Sequence, residues 1–164
     1  MDANRTVPLL ILIASAALVG GALLFQHVGG LQPCELCLYQ RWPYYTVIVL
    51  SALALAAGHP AITSMVTGIA ALAFLIGAGL AFYHVGVEQH WFAGPGACTG
   101  ASAATGSIEE FRARLMAQQP VRCDEPQWAL FGVSLAGWNL LASAALVIFC
   151  LLALRAPALR GRAA

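Results

Sequence analysis

Apolar residues run along this chain in long stretches unbroken by charge. No Asp, Glu, Lys or Arg falls between Arg5 and Glu35, between Arg41 and Glu88, or between Glu125 and Arg155. A membrane-spanning helix needs about 20 predominantly apolar residues. The first gap therefore predicts one span near 8–28 and the last another near 133–154. The middle gap is long enough for two. Gly58-His59-Pro60 divides it, because glycine readily ends a helix and proline readily opens the next. The predicted spans there are 42–57, which is short, and 61–85.

An even number of spans puts both termini on one side and the two loops near 29–41 and 86–131 on the other. The first apolar stretch exceeds the core of a signal peptide and lacks a clear small-x-small cleavage site, so it is expected to remain as a helix. Within the second loop, Ser107-Ile108-Glu109-Glu110 has the pattern of a capping box. Ile108, Phe111 and Leu115 follow at helical spacing, which predicts a short amphipathic helix lying along the membrane surface. The expected fold is an all-α integral membrane protein. It is one membrane domain over residues 1–164, a four-transmembrane-helix bundle carrying that surface helix.

Composition agrees with this reading: 60% of residues are hydrophobic and 9% charged, where soluble domains carry roughly a quarter charged. A net charge of +1 and the lack of a basic patch or phosphate-binding loop argue against a nucleic-acid partner. Arginines divide evenly between the two sides, but the terminal side packs Arg5, Arg155, Arg160 and Arg162 into short tails. That density favours cytoplasmic termini. Cys34, Cys37, Cys98 and Cys123 then share the opposite side, where an oxidising compartment would preserve disulfides.

The chemistry must lie in those cysteines. Cys34-Glu35-Leu36-Cys37 is a C-x-x-C expected at the start of the second helix, where the positive end of the helix dipole favours thiolate. On a continuing helix Arg41 would share their face. Its guanidinium could steady a thiolate or a carbonyl oxygen gaining negative charge, and this reading is favoured over a plain interface anchor. Cys98 and Cys123, separated in sequence, could be a structural disulfide or a second redox pair relaying electrons to the first by exchange. They do not make a zinc pattern with the C-x-x-C. His84 falls near the depth of Arg41. Cys150 lies inside the last span, where burial makes a thiol inert.

Three segments carry a family resemblance: Phe25-Gln26-His27-Val28, Pro33-Cys34-Glu35-Leu36-Cys37-Leu38-Tyr39-Gln40-Arg41, and Cys123-Asp124-Glu125-Pro126-Gln127-Trp128 leading to Phe131-Gly132. With these the chain resembles the disulfide bond formation protein B (DsbB) family of the bacterial inner membrane. The resemblance implies a quinone-dependent thiol oxidoreductase that reoxidises a periplasmic DsbA-type thiol oxidase. Cys34 and Cys37 would be the pair that meets quinone, either ubiquinone or menaquinone, with Cys37 nearest its ring. Arg41 and His84 would be its binding residues, and no metal is implied. Cys98 and Cys123 would be the loop pair, with Cys98 forming the mixed disulfide with the partner. Gln40 departs from those family members that carry an acid before the arginine. Two alternatives stay open: a quinone reductase of the vitamin K epoxide reductase type, and a membrane scaffold whose disulfides are structural.

Overall fold

The computed structural model describes residues 3–95, 107, 109, 112 and 121–156. Four long helices make the bundle: α1 (Ala3–His27), α3 (Trp42–Ala57), α4 (Pro60–Glu88) and α5 (Leu135–Arg155). Between α1 and α3 sits a one-turn helix, α2 (Glu35–Tyr39). A two-stranded antiparallel hairpin, β1 (Ala129–Leu130) and β2 (Val133–Ser134), leads into α5. Helices α1, α4 and α5 are each long and apolar enough to cross a membrane alone. The 16 residues of α3 reach only about 24 Å at 1.5 Å per residue, so α3 is the short helix of the four.

Proline sets several of these boundaries. The α3 to α4 turn forms as its residues dictate: Gly58 takes a left-handed conformation (φ 61°), His59 caps α4 by accepting from the Ala61 amide, and Pro60 opens the helix. At the other end of α3, Pro43 has no N–H to give Tyr39, so the helix expected to run on from the C-x-x-C is interrupted at Gln40 and Arg41. The C-x-x-C therefore stands on its own short helix instead of on the tip of the span. In α1 the helix starts at Ala3, ahead of Pro8. The Asn4 carbonyl that Pro8 leaves without an intrahelical donor accepts from the Thr63 hydroxyl at 3.1 Å, which ties α1 to α4.

The last helix begins two residues later than the apolar run suggests, because Val133 and Ser134 are spent on β2. Phe131 (φ 54°) and Gly132 (φ 77°) form the hairpin turn, both with the positive φ of a type I′ turn. Ser134 closes the hairpin by capping α5 through the Gly137 amide. The apolar core joins Ile11, Val19, Tyr44, Val47, Ala70, Phe74 and Cys150. Large apolar side chains such as Leu53, Met65, Leu72 and Leu152 face outward, as lipid-facing positions should. Of the amphipathic helix expected from Ser107, only residues 107, 109 and 112 are described. Glu109 and Arg112 are helical, and the rest lies outside the described residues.

Candidate active site

Cys34 is the N-cap of α2. Its sulfur accepts from the Cys37 amide at 3.3 Å, so the geometry that starts the helix also places the two sulfurs side by side. Both are free thiols, 2.8 Å apart, an arrangement that leaves little movement before a bond of about 2.05 Å could form. The hydrogen bond from Cys34 holds the Cys37 thiol below its ordinary range, and the Arg41 guanidinium adds to this against the opposing effect of burial. The same bond, followed by burial, pushes Cys34 upward.

Arg41 does not hang free in the interface. Its guanidinium donates to the Gln26 side chain of α1 at 2.7 Å, which aims it across the bundle. Cys34, Cys37, Arg41 and His84 line one cavity of about 490 Å³, within the range of small-ligand pockets. Its walls are mostly apolar, with Leu18, Ala22, Phe25, Leu135 and Trp138 among them. At its polar end stand the sulfurs, the guanidinium and the side chain of Glu88, which is only 6% exposed. Glu88 accepts from the Ser134 hydroxyl and lies 3.9 Å from His84 Nε2.

The second loop folds back over this end. Gln127 donates to the Gln32 carbonyl at 2.7 Å, and Trp128 packs on Phe25 with ring centroids 4.9 Å apart. Arg122 and Asp124 pair on the outside, and the arginine holds the Asp124 carboxyl down to about 2. These contacts seat Cys123, which is buried and disulfide-bonded, against the C-x-x-C. The sulfurs of Cys34 and Cys123 and a His84 nitrogen all lie within 4.8 Å of one another. Because the Cys123 sulfur is already committed to a disulfide, one of those three donors is unavailable to a metal ion. Cys98 lies outside the described residues. Cys150 is fully buried in the core.

The match to a known family is direct. The model of the family "Disulfide bond formation protein DsbB" fits residues 4–153. The chain belongs to the DsbB family. Disulfide bond formation protein B of Cupriavidus metallidurans is 32% identical over 146 residues, covering 86% of this chain and 87% of the relative. The protein of the same name from Verminephrobacter eiseniae is 32% identical over 163 residues, covering 96% and 89%. That from Ralstonia nicotianae is 44% identical over 86 residues, about half of each chain. As a DsbB protein, this chain is a membrane-embedded oxidoreductase of disulfide bond formation with a four-helix bundle.

Residues that sequence reasoning left without a role also converge here. Gln40 lies between His84 and Asn139, and Asn139 reaches Tyr44. Glu88 joins the cavity from the last turn of α4. The signal available was that polar side chains are costly inside a bilayer and seldom sit there without a task. Their mutual contacts cross three helices and cannot be read from spacing.

Proposed function

We propose that this chain reoxidises a DsbA-type thiol oxidase in the periplasm and passes the electrons through two cysteine pairs to a membrane quinone. The observation that carries the reading is the approach of the Cys34 sulfur to within 4.8 Å of the disulfide-bonded Cys123 sulfur, because exchange needs two sulfurs within reach. In the proposed sequence, a thiolate of the reduced partner attacks Cys98 of the loop disulfide, and resolution releases the oxidised partner. The reduced loop pair then reduces the Cys34–Cys37 disulfide, leaving the dithiol that the geometry describes. Two electrons and two protons leave this dithiol as it closes again.

The cavity fits a quinone head. It has apolar walls for a ring, a fixed guanidinium for a carbonyl oxygen, and the Cys37 sulfur beside it. When bound, quinone supplies a two-electron sink, and ubiquinone and menaquinone both satisfy that chemistry. Arg41 would orient the acceptor and offset negative charge developing on it, while also favouring thiolate on Cys37. Because DsbA-type dithiols sit near about −120 mV, the acceptor must be more oxidising still, which a respiratory quinone pool provides.

The proposed topology places both termini in the cytoplasm and the cysteine loops in the periplasm, the side where a disulfide at Cys123 would persist. The test combines purified protein, a reduced DsbA-type partner and a soluble quinone analogue, with quinone absorbance followed for wild type, Cys37→Ser and Cys98→Ser. Consumption by wild type and by neither variant is expected. Equal activity in the variants, or none in wild type with an active partner, would leave the scaffold reading in its place.

A further inference from the structure

We infer that Gln40 and Asn139 are positioning residues that fix the tautomer of His84, so that its Nε2–H faces the Cys34 sulfur. The inference rests on the exchange role given to Cys34 above, and it starts from the direction of a hydrogen-bond chain across the bundle. The Tyr44 hydroxyl donates to Asn139 Oδ1 at 2.6 Å and accepts from Ser143 at 2.7 Å. Asn139 therefore turns its amide nitrogen to Gln40 and donates to Oε1. With its oxygen engaged, Gln40 presents Nε2 to His84 Nδ1 at 2.7 Å. An amide N–H can only donate, so Nδ1 must carry the lone pair and the ring hydrogen belongs on Nε2. That nitrogen lies 3.6 Å from Cys34 Sγ.

Gln40, Tyr44, His84 and Ser143 are buried, and Asn139 between them is half-buried. The groups around the ring are Cys34, Gln40 and Cys123 from the loops and Glu88 from its own helix at 3.9 Å. Helix α5 contributes the uncharged Asn139. Arg41 at the start of α3 is bonded to Gln26 of α1.

A hydrogen aimed at Cys34 matters when a bond to that sulfur breaks. In the relay, Cys123 attacks Cys34 of the Cys34–Cys37 disulfide and Cys37 leaves as thiolate. Cys98 then attacks Cys123, restoring the loop disulfide, and Cys34 leaves with its electron pair and takes a proton from water. An N–H donor at 3.6 Å steadies that departing thiolate, which speeds exchange by making Cys34 the better leaving group. A bare Nε2 would instead turn a lone pair toward it.

The experiment uses the full chain in nanodiscs with 15N-labelled histidine. Wild type should show the Nε2–H pattern at His84. Gln40→Glu replaces the donor with an acceptor, and Asn139→Asp forces Gln40 to turn round. Each should shift His84 to the Nδ1–H pattern and slow electron transfer from the loop pair to Cys34–Cys37 by roughly tenfold or more, as wrong tautomers do elsewhere. The two variants act from opposite ends of the chain, so one that fails to fold leaves the other to decide. An Nδ1–H pattern in wild type overturns the inference, and so does a tautomer change with no change in the exchange rate. Quinone consumption by wild type is read in the same samples. Its absence would count against the proposed function while the nitrogen spectrum still decides the tautomer.

Discussion

Cys34 and Cys37 are chemically identical and only three positions apart, yet their surroundings divide one proton between them unequally. The bond to Cys34 and the field of Arg41 hold the Cys37 thiol below its ordinary range. Alkylation should report it. At about pH 7, Cys37 is expected to react with iodoacetamide several-fold faster than an ordinary thiol. Arg41→Ala should slow that reaction, since one of the groups holding the thiol down is removed. A rate in wild type equal to that of free cysteine, measured by peptide mass mapping, would contradict the assignment.

Among the elements, the hairpin before α5 shows local backbone conformation overriding local preference. Phe131 sits at positive φ with its ring 88% exposed, where glycine or asparagine would be at ease. Phe131→Gly is expected to raise the melting temperature by a few degrees or leave it unchanged, while Gly132→Ala should cost about 1–2 kcal/mol, both read by thermal unfolding in detergent. The break between α2 and α3 is a similar local effect with a larger consequence. It arises from Pro43, and it lets the C-x-x-C turn independently of the span so that Cys34 can meet both His84 and Cys123.

Across the whole molecule, polar groups inside the bundle differ in how fully they are bonded. Toward the cysteine end they are joined: Ser143, Tyr44, Asn139, Gln40 and His84 bond in series across α3, α4 and α5. Elsewhere in the bundle, the buried hydroxyls of Ser15 and Ser51 have no hydrogen-bond partner among the described residues. Tyr44→Phe should therefore cost about 1–3 kcal/mol by stranding Asn139 and Ser143, whereas Ser51→Ala should be neutral or slightly stabilising. Equilibrium unfolding of the two variants side by side checks the contrast, and equal losses would refute it.

What the sequence by itself determined follows from effects that act along the chain. The charge gaps set out the helical bundle, and Gly58-His59-Pro60 set the turn between α3 and α4. The spacing of Cys34 and Cys37 set two sulfurs side by side, and the motifs around them marked the family. Backbone satisfaction in lipid and the conformational limits of glycine and proline are local, so they leave a readable pattern. The tertiary structure alone decided which groups meet. Arg41 reaches Gln26 on α1, Glu88 comes to the cavity from the end of α4, and Gln40 is locked between His84 and Asn139. Those contacts depend on how three or four helices rotate against one another, a choice made by side-chain packing between segments up to 99 positions apart. Nothing periodic along the chain encodes that choice.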